Sequence, residues 1–118
     1  MLHHVGIEIR PDDVSRAVEL FELLGFERVE PPPSLAEYTW LEHAGTQVHL
    51  MPSAQPAVPS QGHMALVVSD FEATVARVRE HGFETRPGRE HWGASRVHVT
   101  APGGHRVELM AAPPDRQR

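Results

Sequence analysis

Three histidines and one glutamate recur at matching points of the two halves of this 118-residue chain. His63 follows His4 by 59 residues, and Glu108 follows His49 by 59 residues, which is half of the chain length. Imidazole nitrogens and carboxylate oxygens are ligands for Zn²⁺, Ni²⁺, Fe²⁺, Co²⁺ and Mn²⁺. The sequence contains no cysteine, so a thiolate-bound ion is excluded. We therefore predict that His4, His49, His63 and Glu108 bind one divalent metal ion.

Two further polar side chains stand beside these candidate ligands. Arg106 precedes Glu108 by two residues and shares its strand face, so it is suited to bind a substrate carboxylate. Gln47 stands in the same relation to His49 and is suited to orient that ring through a hydrogen bond. We predict that both contribute to substrate binding or to ligand orientation.

The two tryptophans and the remaining histidines are assigned by their positions in the pattern. Trp92 falls in a loop and is a candidate substrate-binding residue, whereas Trp40 is expected in the core. His98 alternates with two valines and stays outside the predicted ligand set. The histidines expected to be solvated lie at turns, element ends or opposite faces: His3, His43, His81, His91 and His105.

Both halves of the chain have the same order of predicted elements. In the first half, a strand over residues 2–9 precedes a helix that begins near residues 11–13 and ends at Gly25, where a positive φ is needed. Its other strands are predicted over residues 26–30, 37–42 and 46–51, with a tight turn at 43–45. In the second half, a strand over 63–68 precedes a helix between Asp70 and Gly82, and further strands are predicted over residues 83–86, 95–100 and 105–111.

A duplicated unit explains this order better than a solenoid does. Short segments recur as well: Gly25-Phe26-Glu27 as Gly82-Phe83-Glu84, and Val48-His49-Leu50-Met51 as Val107-Glu108-Leu109-Met110. Residues 52–61 hold three prolines and no charge, which is linker composition. We predict one α+β domain over 1–118, with a first βαβββ module at 1–51, a linker at 52–61, a second module at 62–112 and a frayed tail at 113–118.

Composition narrows the choice of partners. The formal net charge is −5 and no basic run occurs, so nucleic acid and anionic membranes are poor candidate partners. No apolar stretch approaches 18 residues, and the amino terminus does not have the pattern of a signal peptide. We expect a soluble cytoplasmic protein that acts on a small molecule.

Four motifs give the chain a family resemblance that covers nearly its whole length. They are His4-Val5-Gly6-Ile7-Glu8-Ile9, Leu23-Leu24-Gly25-Phe26, Gly62-His63-Met64-Ala65-Leu66-Val67-Val68 and Pro102-Gly103-Gly104-His105-Arg106-Val107-Glu108-Leu109. In these motifs the chain resembles the vicinal oxygen chelate superfamily. That superfamily includes glyoxalase I, methylmalonyl-CoA epimerase, fosfomycin- and bleomycin-resistance proteins and extradiol dioxygenases.

The resemblance implies a fold and a chemistry. The fold would be two paired βαβββ modules forming an open eight-stranded cup, in a homodimer whose modules pair within one chain or across two. Metal-dependent members take their ligands from the first and last strands of the modules, where His4, His49, His63 and Glu108 fall. The ion would act as a Lewis acid on adjacent substrate oxygens and stabilise an enolate-like charge, while His49 or Glu108 moves a proton.

Two departures from the family pattern shape the functional prediction. Glyoxalase I has Glu and the epimerase Gln where this chain has His49, and Glu8 stands where bacterial glyoxalase I carries a glutathione-binding Arg. We therefore predict a metal-dependent lyase or isomerase that is not lactoylglutathione lyase itself. Two alternatives stay open. One is an Fe(II) ring-cleaving dioxygenase that uses His4, His63 and Glu108 as a facial triad, and the other is a metal-free protein that sequesters a small molecule.

Overall fold

A computed structural model describes residues 1–115, which form two compact units. The first unit comprises Met1–Ser60 and Pro102–Gly104, and the second comprises Gln61–Ala101 and the described residues from His105 on. The boundary at residues 60 and 61 coincides with the end of the predicted linker, in which residues 53–61 belong to no helix or strand. Residues 116–118 of the predicted tail lie outside the described part of the chain.

The first unit has the predicted β-α-β-β-β order. A short 3₁₀ turn at Pro11–Asp13 precedes its helix, so the α-helical hydrogen bonds begin only at Val14. Another 3₁₀ turn at Pro33–Leu35 was not predicted. The elements are β1 (His4–Ile9), α1 (Val14–Leu23), β2 (Glu27–Val29), β3 (Thr39–His43) and β4 (Thr46–Pro52).

These strands form one mixed sheet in the order β1-β4-β3-β2. The β1 and β4 strands are parallel, whereas the two other pairings are antiparallel. Ala44 and Gly45 close the β3–β4 hairpin with φ values of 50° and 85°, as a two-residue turn with both central residues in the left-handed region requires. This turn fixes the register that places Trp40 opposite His49.

Apolar side chains of α1 and of one sheet face build the core of this unit. Because successive strand residues point to opposite faces, Leu41, Val48 and Leu50 lie on the face that α1 covers. The opposite face carries Gln47 and His49, which are buried as well. The helix contributes the buried residues Ala17, Val18, Leu20 and Phe21.

The second unit repeats the first. Its sheet has the order β5-β8-β7-β6, again with one parallel pair, β5 with β8, and two antiparallel pairs. Val97, Val99, Val107 and Leu109 occupy its buried apolar face. The elements are β5 (Met64–Val67), α2 (Phe71–Glu80), β6 (Thr85–Pro87), β7 (Arg96–Thr100) and β8 (Arg106–Met110).

The observed elements confirm the α+β class and the two βαβββ modules. Gly25 and Gly82 follow the two helices with φ values of 96° and 83°, as predicted for the residues that end them. The helix starts differ from expectation in one respect: Asp13 and Asp70 occupy the N-cap positions, but neither side chain makes a capping hydrogen bond. No helix within residues 1–115 has the length and apolar character needed to cross a bilayer.

Candidate functional site

His49 lies in the middle of β4 between two other rings. The indole of Trp40 on β3 stacks on one face with a centroid distance of 4.0 Å and parallel planes. The imidazole of His4 on β1 stacks on the His49 ring at 4.0 Å with planes 15° apart. Trp40 was expected in the core, but it is a half-buried neighbour of a predicted ligand. The stack leaves only the edge of the His49 ring for hydrogen bonds or ligands.

A chain of hydrogen bonds holds that edge. The His49 Nε2 atom lies 2.7 Å from Gln47 Oε1, and Gln47 Nε2 donates to Glu42 Oε1 over 2.8 Å. The contact from Gln47 to His49 is the one predicted from their spacing. Glu42 was not singled out from the sequence, although it lies directly across from Gln47 in the β3–β4 register.

His4 is exposed at the start of β1 and pairs with another histidine. Its Nδ1 lies 2.9 Å from Nδ1 of His3, so one ring donates and the other accepts. His3 was expected to be solvated; it is exposed, but it belongs to this cluster. Burial, and then the positive charge that His4 and His3 can carry, lower the pKa of His49. The His49 ring is therefore held in its neutral form.

The second unit places His63 and Glu108 together. Glu108 is 5 % exposed on β8, and its Oε1 lies 3.1 Å from Nε2 of His63, which immediately precedes β5. The Nδ1 atom of His63 lies 2.7 Å from the carbonyl oxygen of Gln61. Since a carbonyl only accepts, Nδ1 carries a proton that it donates to Gln61. The Nε2 atom then faces the carboxylate.

Arg96 on β7 is the main residue of this cluster that the sequence reasoning missed. Its Nε donates to Glu108 Oε2 over 3.2 Å, and a second guanidinium nitrogen donates to Oε1 over 3.3 Å. A third donates to the carbonyl of Arg89 over 2.6 Å. Burial alone raises the pKa of Glu108, but the hydrogen bonds and charge of Arg96, together with His63, outweigh it and lower the pKa.

A missing side chain at Gly88 makes room for this arginine. A Cβ at Gly88 would lie 2.9 Å from Arg96 Cγ and 3.3 Å from Nε2 of His98. The signal that was available in the sequence is positional: Arg96 and His98 alternate along β7, and the turn at 102–104 brings β7 back against Glu108 on β8.

The two modules each leave one buried nitrogen without a partner, and the two nitrogens occupy equivalent positions. Trp40 lies opposite His49, and His98 lies opposite Glu108. Trp40 Nε1 and His98 Nδ1 are the buried side-chain polar atoms that find no hydrogen-bond partner among the described residues. An Arg96 nitrogen lies 3.4 Å from Nε2 of His98, so Nδ1 carries the proton of the neutral ring. Burial and then Arg96 lower the pKa of His98.

The other two predicted substrate-binding residues lie apart from these contacts or at their margin. Arg106 begins β8 and is half-buried, and its charge is among the causes that lower the pKa of His98. Trp92 is 37 % exposed in the loop before β7, and its indole N–H donates to the carbonyl oxygen of Ala112 over 2.8 Å. That hydrogen bond ties Trp92 to the segment after β8 rather than to a predicted ligand.

Within residues 1–115, no group of three or more His, Asp or Glu side chains is arranged to hold a metal ion. Each unit instead supplies one pair: His4 with His49, and His63 with Glu108. The donor chemistry of the second pair fits a divalent ion. A neutral His63 that donates through Nδ1 directs the Nε2 lone pair at a carboxylate oxygen, and a cation between them removes the repulsion of the two acceptors.

Comparison with known proteins places the chain in a family. The family model of the Glyoxalase/Bleomycin resistance protein/Dioxygenase superfamily matches residues 1–109. No curated protein sequence matches the chain significantly.

Solved structures of similar fold cover nearly the whole chain. A glyoxalase family protein from Bacillus anthracis aligns with a TM-score of 0.82 at 18% identity over 93% of each chain. The fosfomycin resistance protein FosX from Mesorhizobium loti aligns with a TM-score of 0.74 at 20% identity, over 96% of this chain and 92% of its own. The oxidase ChaP-H2 aligns with a TM-score of 0.73 at 25% identity, over 97% and 94%.

Proposed function

Since the chain belongs to the Glyoxalase/Bleomycin resistance protein/Dioxygenase superfamily, we propose that it is a divalent-metal-dependent lyase or isomerase. The proposed ligands are His4, His49, His63 and Glu108. The proposed substrate is a small oxygenated metabolite. The four ligands would meet at one ion, supplied by one chain or by two copies in a homodimer.

The contact between His63 and Glu108 carries this proposal. A carboxylate that is 5 % exposed is costly to bury unless it is paired. Its Oε1 nevertheless faces an imidazole nitrogen whose ring already donates its other N–H to Gln61. An imidazole whose distal nitrogen is fixed by a carbonyl is the usual arrangement of a histidine metal ligand.

The residues of the first unit supply the complementary function. A divalent ion bound by these ligands would act as a Lewis acid on adjacent substrate oxygens. His49 is held neutral by burial and by the neighbouring histidines, so its unprotonated nitrogen is available as a ligand or as a proton acceptor. The carboxylate of Glu108 stays ionised because Arg96 holds both of its oxygens.

Two N–H groups favour an oxygen-rich substrate. Trp40 Nε1 and His98 Nδ1 are donors, and an unsatisfied buried donor costs about 1–3 kcal/mol. Oxygen atoms of a substrate are the acceptors that would remove this cost. We retain Arg106 as the candidate for binding a substrate carboxylate, whereas the hydrogen bonds of Gln47 and Trp92 give these two residues structural partners.

A second candidate function is an oxygen-dependent Fe(II) enzyme. The similarity to the oxidase ChaP-H2 favours it. His4, His63 and Glu108 would then form the two-His-one-carboxylate triad that is typical of non-haem iron oxygenases. In this case His49 would act as the acid or base beside the ion.

Metal content and reaction type together test these proposals. Protein purified without added metal is analysed for zinc, nickel, iron, cobalt and manganese, with His63→Ala as the comparison variant. We expect one ion per chain in the wild type and loss of the ion in the variant. Exchange of a proton α to a carbonyl would support the lyase or isomerase, and oxygen uptake on catechols would support the iron enzyme. Absence of bound metal, with no binding of Ni²⁺, Zn²⁺ or Fe²⁺, would refute both and leave a metal-free binding protein.

A further inference from the structure

The hydrogen bonds from Glu42 to His49 determine where the proton of the imidazole lies. A carboxylate oxygen accepts, so the amide nitrogen of Gln47 must face Glu42. The amide oxygen of Gln47 then faces His49, and an oxygen can only accept. The Nε2 atom of His49 must therefore be the protonated nitrogen. In a neutral imidazole this leaves the lone pair on Nδ1.

The ring stack keeps this assignment from being lost by rotation. Trp40 covers one side of the His49 ring and His4 stacks on the ring as well, each at 4.0 Å. Turning the ring about its axis would have to displace these neighbours and break the 2.7 Å contact with Gln47. Within the described residues, Nδ1 of His49 has no hydrogen-bond partner, so its lone pair is uncommitted.

We propose that Glu42 is a positioning residue that sets the tautomer of His49 through Gln47, so that Nδ1 is the atom of His49 that acts. It acts as a metal ligand or as a proton acceptor, and this part of the inference rests on the proposed function. The assignment of the proton itself does not, because it follows from the three side chains alone.

The second unit shows why such a relay is needed only once. Its equivalents of Gln47 and Glu42 are Arg106 and Thr100, which cannot repeat the same sequence of donors and acceptors. Glu108, which stands where His49 stands in the first unit, has two chemically identical oxygens. A carboxylate needs no partner to choose between them, whereas an imidazole presents one donor and one acceptor that must be assigned.

Nitrogen NMR of the metal-free protein tests the tautomer directly. In ¹⁵N-labelled wild type we expect His49 as a single tautomer with the proton on Nε2. In Glu42→Lys the ammonium can only donate, which reverses the Gln47 amide and moves the imidazole proton to Nδ1. Glu27→Lys makes the same charge change directly across from Glu42 on β2 and leaves the tautomer unchanged.

Several outcomes would overturn the assignment. A wild-type proton on Nδ1 would do so, and so would an unchanged tautomer in folded Glu42→Lys. If Glu42→Lys does not fold, Glu42→Gln is measured instead, because an amide can donate or accept. A second tautomer is then expected, and a single unchanged tautomer would overturn the proposal.

Nickel affinity tests which nitrogen acts. The amide oxygen of Asn can occupy the place of Nδ1, whereas the longer side chain of Gln reaches the place of Nε2. We expect His49→Asn to retain Ni²⁺ affinity about tenfold better than His49→Gln, and Glu42→Lys to weaken it about 10–100-fold relative to Glu27→Lys. Better retention in His49→Gln would overturn the role of Nδ1. If the wild type binds no metal, the proposed function fails, while the NMR result still decides the tautomer.

Discussion

The two modules share a backbone and differ at the position where each one presents a candidate ligand. In the first, His49 lies between an indole and an imidazole and is held neutral. In the second, Glu108 occupies the same register position, but an arginine grips both of its oxygens. One module surrounds its ligand with rings, and the other surrounds it with charge.

This difference shows what a duplicated βαβββ unit preserves and what it leaves free. The apolar residues that face the helix recur at the same positions, as Leu50 and Leu109 do, because they build the core. The opposite sheet face has no such constraint, so its residues differ in polarity between the modules. One face thus maintains the fold while the other combines a neutral donor with an anionic one.

Loss of Arg96 should have the largest effect and would test the ionic half of the comparison. Arg96→Ala leaves Glu108, 5 % exposed, without its main partner, and breaking a buried ion pair from one side costs about 3–5 kcal/mol. We expect the free energy of unfolding, measured by urea denaturation at neutral pH, to fall by about this amount. Arg86→Ala on β6, where the side chain is exposed, should change it by less than about 0.5 kcal/mol. Equal effects of the two substitutions would contradict the role of Arg96.

The equivalence of the two core faces can be tested with matched truncations. Leu50 and Leu109 are both fully buried and stand at repeat-related positions. Leu50→Ala and Leu109→Ala should each lower the free energy of unfolding by about 3 kcal/mol. Urea denaturation followed by far-UV circular dichroism measures both. A difference of more than about 2 kcal/mol between them would show that the cores of the modules are not equivalent.

Two glycines offer a smaller and sharper contrast between the modules. A Cβ at Gly88 would lie 2.9 Å from Arg96 Cγ, whereas a Cβ at Gly6 would meet the flexible end of Met51 at 3.1 Å. Gly88→Ala should therefore displace Arg96 and cost about 1–2 kcal/mol, while Gly6→Ala should cost less because the thioether can move. Thermal denaturation of both variants provides the measurement. A larger loss in Gly6→Ala would mean that the space at Gly88 does not serve Arg96.

Hydrophobic periodicity and glycine positions were sufficient to predict the order of elements. Apolar alternation placed β4 at 46–51, within one residue of its observed end, and Gly25 and Gly82 marked the ends of the helices. The first helix begins later than expected because Pro11–Asp13 forms a 3₁₀ turn. Such a turn has the same starting residues as an α-helix, so the sequence does not distinguish the two.

The partners of the candidate ligands were harder to predict. Gln47 was found because its contact with His49 spans two positions of one strand. Arg96 and Glu42 were missed because their contacts depend on cross-strand register, which the turns at 44–45 and 102–104 set. Counting outward from those turns would have placed Trp40 opposite His49 and His98 opposite Glu108. The prediction that all four ligands share one ion stays a prediction.

Calorimetric titration of the chelator-treated protein with Ni²⁺ tests that central prediction most directly. We expect one ion per chain in the wild type, and a loss of affinity of about tenfold or more in both His4→Ala and His63→Ala, because each module must contribute. His91→Ala, which removes an exposed loop histidine, should bind as the wild type does. Wild-type affinity in either His4→Ala or His63→Ala would contradict a shared site.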